Sequence, residues 1–139
     1  MPMKVATYFL LAGCLVLVGC GGGMDATGPT VSWSGTVTMG GKPLPDDLSQ
    51  AVIQVRAKEQ GANTAQPVQG EITKGRFALE RVPQGVVIVR VILERKTGKV
   101  IREASGETFE EIVNLVPSSK RSGFEMVADK SDSDVQIAL

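Results

Sequence analysis

Short runs in which apolar and polar residues alternate recur along most of this chain, each bounded by glycine or proline. In the run over 31–39, four apolar side chains share one parity: Val31, Trp33, Val37 and Met39. A period of two places apolar side chains on one face of a β-strand, whereas a helix needs a period near 3.6. Because no long run follows the helical period, the alternation predicts a fold built from half-buried strands.

Later segments bring the predicted total to about seven short strands. They lie at 51–57, 71–73, 76–79, 86–93, 99–101, 124–128 and 135–139. Lys74-Gly75 is typical of a tight hairpin turn, and Thr97-Gly98 predicts a second turn. The segment 106–115 fits both helical and alternating spacing, and we favour strand or irregular structure there. Short strands with regular turn signals predict an all-β, antiparallel, Greek-key-like β-sandwich over residues 31–139.

The N-terminal segment has a different character. A lysine at position 4 precedes an uncharged apolar run over 5–18, and glycines follow at 19 and 21–23. A run of about 14 residues suits a signal peptide, since a membrane-spanning helix needs ~20. This layout predicts an exported protein whose folded domain starts after the glycines.

Two cysteines in this segment are candidates for lipidation. Leu17-Val18-Gly19-Cys20 resembles the lipobox of bacterial lipoproteins, in which the cysteine is acylated and becomes the first mature residue. Leu11-Ala12-Gly13-Cys14 also fits, but cleavage there would leave the apolar residues 15–18 on the mature chain. We therefore expect a signal peptide over 1–19, lipid on Cys20 and a flexible glycine-rich tether over 20–30. The mature domain then has no free thiol and folds without a disulfide.

Composition argues against several classes of function. Basic and acidic side chains both total 15, and the isoelectric point is about 6.3. A nucleic-acid binder needs a basic face for phosphate contacts, so we expect no nucleic-acid partner. The chain has no histidine, which removes His-dependent triads and His metal sites. We expect no catalytic residues and no enzyme activity.

Four groups of polar residues are candidates for reactive or metal sites. They are Asp46-Asp47, Glu110-Glu111, Ser118-Ser119-Lys120, and the set Asp129, Asp132 and Asp134. Adjacent carboxylates point to opposite faces of a strand, and a Ser/Lys pair needs an apolar pocket to activate the lysine. The aspartate set lacks the glycine and distal glutamate of a calcium loop. We interpret all four as structural and expect no metal and no cofactor.

Two apolar features are candidates for binding. Val86, Ile88 and Ile92 occupy the second parity of the most apolar strand and would form a partner surface if no layer covered them. We favour burial of this strand on both faces. Trp33 could stack on a sugar ring, but its place on an apolar parity favours a core position.

The order of motifs resembles a known family. The strand over 31–39, the Gly-Lys-Pro-Leu-Pro turn, Gly75-Arg76-Phe77-Ala78-Leu79 and Val82-Pro83-Gln84-Gly85 are similar to the transthyretin-like, carboxypeptidase-regulatory-like β-sandwich. The tail from Leu115-Val116-Pro117 is similar to small planctomycete lipoproteins with that domain. The resemblance covers 31–139 and implies a sandwich fold and an accessory role without catalysis.

Together these features lead to one expectation and one alternative. We expect a non-enzymatic lipoprotein of the bacterial cell envelope, held at the outer membrane or at a periplasm-facing surface by acyl chains. Its partners would be the membrane and an envelope protein or polysaccharide, in a structural or protein-interaction role. The alternative is a carbohydrate-binding module at the cell surface.

Overall fold

The structure, a computed structural model, describes residues 28–59 and 66–139. Within these residues the chain forms nine strands and one three-residue 3-10 helix, Ser118–Lys120. The strands are β1 (Thr30–Met39), β2 (Lys42–Pro43), β3 (Gln50–Ala57), β4 (Val68–Glu71), β5 (Arg76–Pro83), β6 (Gly85–Arg102), β7 (Thr108–Asn114), β8 (Phe124–Ala128) and β9 (Asp132–Ala138). The prediction of an all-β fold with two sheets is confirmed. The predicted signal peptide 1–19, Cys14 and Cys20 lie outside the described residues.

The first sheet is organised around β1. Thr36 pairs with Arg76 of β5 on one edge and with Gln136 of β9 on the other. The short β2 continues the β5 edge beyond Thr36. β9 runs parallel to β1, so the prediction of a purely antiparallel sandwich is wrong for this pair. Alternation shows which residues face inward but carries no information on the direction of the neighbouring strand.

The second sheet is organised around β6. Val87 pairs with Ala57 of β3 and with Met126 of β8, so these strands flank β6 on opposite edges. β7 follows β8 along the same edge of β6, and β4 adds to the far side of β3. β3 accompanies β6 only as far as Glu94. Beyond that residue β6 and β7 continue as a two-stranded ribbon, which we call the arm (residues 95–113).

The predicted turn at Thr97-Gly98 is wrong. β6 continues through it, and Lys96 pairs with Ile112 while Val100 pairs with Glu110. Residues 97–99 therefore stand opposite a single residue and form a bulge, with Gly98 at φ 78°. The chain turns later, over 103–107. Glycine at positive φ is needed in bulges and in turns alike, so the residue type does not distinguish them.

The predicted hairpin turn at Lys74-Gly75 is present, and it joins the two sheets. Thr73 pairs with Arg76 across it, and both central residues have positive φ, 50° and 75°. This is the geometry of a type I′ turn. The turn also contacts β1, because the backbone N–H of Val37 donates to the Gly75 carbonyl at 2.7 Å.

The core lies between the two sheets. The inward parity of β6 is buried as predicted: Val87, Val89, Val91 and Leu93. Trp33, Val37 and Ile53 meet these side chains in one cluster. Each fully buried large aliphatic side chain contributes about 1.5–3 kcal/mol. Among the described residues no polar or charged side chain is buried. The described fold is therefore stabilised in its interior by the packing of apolar side chains.

Candidate functional site: the outer face of the second sheet

The adjacent carboxylates of β7 hold the arm's bulge. Glu110 accepts a hydrogen bond from the Gly98 N–H at 3.1 Å and pairs with Lys96 at 3.5 Å. Glu111 accepts from the Thr97 hydroxyl at 2.9 Å. Each carboxylate thus binds groups of the neighbouring strand, which explains both residues without catalysis.

The Ser118-Ser119-Lys120 segment lies on the 3-10 helix beside the end of β9. The Lys120 ammonium donates to the Ala138 carbonyl, and it lies 5.6 Å from the centre of the Phe124 ring. These contacts fasten the helix to the last strand and to β8. Lys120 therefore has a structural role in the described fold.

The aspartates near the C-terminus take part in local hydrogen bonds. A side-chain oxygen of Asp132 accepts from the backbone N–H of Asp134 at 2.9 Å, and Asp134 accepts from the Gln136 amide at 2.7 Å. Asp47, in the other acidic pair, contacts Arg95 at 3.5 Å. In the part of the chain that the structure describes, no group of three metal-ligating side chains could hold an ion.

Trp33 is a core residue. Only 3% of it is exposed, and it packs in the same cluster as the inward residues of β6. A small cavity of about 230 Å³ next to it is shared with Met126 and Val135. Its ring faces are not available as a platform for a sugar.

The predicted partner surface lies on the outer face of β6. Val86 is 43% exposed, and Ile88 and Ile92 are partly buried. The expectation that this strand is buried on both faces is wrong, because the sandwich covers only the inward parity. Ile92 stands directly opposite Val52 of β3.

Sequence reasoning missed the most exposed residue of this surface. Val127 of β8 is 65% exposed and is the direct cross-strand partner of Val86. We call Val86, Val127 and Ile88 the valine patch. Its border is charged, since Lys58 and Glu125 form an ion pair of 2.6 Å next to Ile88. Val127 was detectable in the sequence as an apolar residue on the polar parity of its strand.

Sequence reasoning also missed a second exposed apolar region, on the arm. Val100 is 66% exposed, Ile112 53% and Phe109 46%. Val100 and Ile112 stand on the face that continues the outer face of β6, while Phe109 stands on the opposite face. The ribbon therefore exposes apolar side chains on both of its faces.

An open groove of about 750 Å³ lies at the edge of the second sheet. Its walls are the segment after β2 and the turn before β5, with Leu44, Val52 and Ile72 among its apolar lining. Asp46 and Glu71 also line it. This mixture of polar and apolar lining groups does not define one ligand chemistry.

Fold and surface together define a small two-sheet β-sandwich with exposed aliphatic residues on one outer face. Comparison of the chain with protein-family models, with curated proteins and with solved structures gave no match. The resemblance to the transthyretin-like sandwich stays a prediction. No helix in the described residues has the length and hydropathy needed to cross a membrane.

Proposed function

We propose that this chain is a non-enzymatic lipoprotein of the bacterial cell envelope, whose tethered β-sandwich binds another envelope protein. The observation that carries the contact role is the valine patch, where Val86 and Val127 stand side by side and exposed. An apolar surface with a charged border is the composition of a protein contact. The transthyretin-like resemblance is in keeping with such an accessory role.

The chemistry of the patch favours protein over polysaccharide as the partner. Sugar rings are bound by aromatic faces together with many polar groups, whereas the valine patch is aliphatic. Covering aliphatic surface contributes about 25 cal/mol per Å² removed from water. The Lys58–Glu125 pair at the border adds a charged contact that can discriminate between partners.

Anchoring in this proposal comes from acyl chains on Cys20. Each buried methylene contributes ~0.8 kcal/mol, and stable attachment needs more than one chain. The tether enters the domain beside the valine patch, because the Gln84 N–H donates to the Pro29 carbonyl at 3.0 Å and Gly85 pairs with Ala128. A partner bound there would lie near the same membrane.

Lipid labelling tests the anchor. The full chain is expressed in a bacterium fed an alkyne-bearing fatty acid, and membrane fractions are scored for label. We expect label on the wild type and on a Cys14→Ala variant, and none on Cys20→Ala. Label that is lost with Cys14→Ala instead, or absent from the wild type, would contradict the assignment of Cys20.

Site-specific crosslinking in cells tests the contact. A photoreactive phenylalanine analogue at Val127 should give a discrete protein adduct. The same analogue at Gln136, exposed on the first sheet, is the matched control. Adducts of equal yield at both positions, or adducts with polysaccharide only, would overturn the protein-contact role.

A further inference from the structure

The outer edge of the arm is an open strand edge. Among the described residues β7 pairs with β6 alone, so the backbone groups along its other side have no strand partner. An edge of this kind is a template for another strand. Two exposed apolar residues, Phe109 and Ile112, lie on the same seven-residue strand.

The devices that normally protect an edge act elsewhere in the arm. A bulge blocks pairing when it lies in the edge strand, but here it lies in β6, the inner strand. Charges on an edge strand repel a neighbour only in registers that set like charges opposite each other, and Glu110 and Glu111 are held by Lys96, Gly98 and Thr97 of β6. The outer edge of β7 is left regular as far as Val113, and at its end the Asn114 carbonyl accepts a hydrogen bond from the Arg121 guanidinium at 3.2 Å.

We propose that β7 pairs antiparallel with β7 of a second copy of this chain, with Ile112 opposite Ile112. A two-fold axis perpendicular to the sheet passes between the two isoleucines. Backbone hydrogen bonds then extend the second sheet from one copy into the other. This surface is separate from the valine patch and does not depend on lipidation.

Repulsion between glutamates on the two copies of β7 determines which register is favoured. An antiparallel two-fold centred on Glu110 or on Glu111 sets a carboxylate directly opposite its own copy, and one centred on Phe109 sets Glu107 opposite Glu111. Like charges directly opposite each other destabilise a sheet. Parallel in-register pairing suffers from the same repulsion at both glutamates.

Centring on Ile112 avoids this repulsion. Glu111 then stands opposite Val113. Glu110 stands opposite Asn114, and its N–H shares the Asn114 carbonyl with the Arg121 guanidinium. Phe109 stands opposite Leu115, the residue that follows β7. A centre at Val113 also separates the carboxylates but keeps only three strand residues of each copy in register, against five for Ile112. Because β7 is complementary to its own copy in this register, we take a second copy of this chain as the partner.

Disulfide trapping tests the register. The background is the full chain with Cys14→Ser and Cys20→Ser, purified in detergent, so that an added cysteine is the sole thiol. Directly opposite residues have Cα atoms about 4.5–5.5 Å apart, within the range of about 4.4–6.8 Å that a disulfide bridges. We expect Ile112→Cys to give a covalent dimer under mild oxidation.

Val100→Cys is the matched control, since Val100 is on the same face and more exposed. In the proposed dimer the two copies of residue 100 are at least three strand spacings apart, about 14 Å, and cannot be bridged. Equal trapping at 100 and 112, or none at 112, would overturn the register.

Sedimentation provides a second readout that does not depend on a cysteine. An Ile112→Lys variant sets two ammonium groups opposite each other, and we expect its dimer to dissociate at least tenfold more readily than the wild type. Because Ile112 is exposed, the melting temperature should stay unchanged. A wild type that is monomeric at high micromolar concentration would refute the dimer.

Discussion

At the scale of single residues, Gly35 sets the closest approach within the first sheet. A Cβ built on it would lie 1.9 Å from the carbonyl oxygen of Val135. Just before this point β9 contains one extra residue relative to β1, because Trp33 pairs with Asp132 and Gly35 pairs with Val135. The bulged backbone of β9 thus lies where any side chain at position 35 would be.

Gly35→Ala should therefore separate β9 from β1. Overpacking of this kind costs typically about 1–3 kcal/mol, and the backbone overlap places this variant at the upper end. We expect a loss of about 3 kcal/mol in the free energy of unfolding, measured by urea denaturation. Ser34→Ala in the same strand is the control and should change stability little; equal effects for the two variants would show that β9 does not lie against Gly35.

In the turn between the two sheets, one substitution is expected to increase the free energy of unfolding. Lys74 holds a φ of 50°, which costs a side-chain-bearing residue about 1–2 kcal/mol and costs asparagine less. Lys74→Asn should raise the free energy of unfolding by about 1 kcal/mol. Gly75→Ala should lower it, because a Cβ there would lie 3.3 Å from the Val37 carbonyl oxygen at an unfavourable φ. Thermal melts of the two variants that shift in the same direction would contradict this turn geometry.

At the scale of elements, the sequence predicted correctly which strand residues face the core, but it did not predict how far β6 extends. Alternation placed Trp33, Val37 and the core residues of β6 correctly, since burial depends on local parity. The extent of β6 depends on Glu110 and Glu111, which hold Thr97-Gly98 in a bulge from another strand. Contacts of that kind join residues that are distant along the chain, and no local pattern contains them.

The bulge contacts lead to an expectation for the arm. In a Glu110→Ala/Glu111→Ala variant the Gly98 N–H and the Thr97 hydroxyl lose their acceptors, so the ribbon should open more often. Loss of a net contribution of about 1 kcal/mol corresponds to roughly fivefold faster exchange of arm amides. Hydrogen exchange followed by mass spectrometry over residues 95–113 measures this. Amides of β3 should keep their wild-type rates, and uniform acceleration throughout the domain would show that the arm is part of the cooperative core.

The sequence predicted only part of the candidate surface. Val86, Ile88 and Ile92 were identified from parity, but their exposure depends on whether a further layer covers the sheet. Val127 joins Val86 through the pairing of β8 with β6, which the sequence does not specify. Phe109 and Ile112 are exposed because they lie on the arm, outside the core cluster between the two sheets. Each of these facts is a property of the assembled sheet.

At the scale of the whole molecule, the described end of the proposed tether and the tip of the arm lie at opposite ends of β6. Pro29 contacts Gln84 at the start of β6, and the tip of the arm follows the end of the same strand. A two-fold axis perpendicular to the arm reverses the direction of the second copy. At about 3.3 Å per residue, the stretch from Gly85 to Lys96 is about 36 Å long, so the two tethers enter the dimer about 70 Å apart.

The dimer and the lipid anchor, taken together, predict a contact between facing membranes. The proposed tether over 20–30, taken as a random coil, spans on average about 18 Å, which is short against the separation of the two tether ends. Both anchors therefore reach one membrane only when the dimer lies flat along it, and an upright dimer places them in facing membranes. Lipidated protein reconstituted in phosphatidylcholine–phosphatidylglycerol vesicles should therefore cluster them, measured by dynamic light scattering. Ile112→Lys protein, equally lipidated, should leave the vesicles dispersed. If the vesicles stay dispersed with wild-type protein while Ile112→Cys still forms the covalent dimer, the pairing is correct and both anchors lie in one membrane.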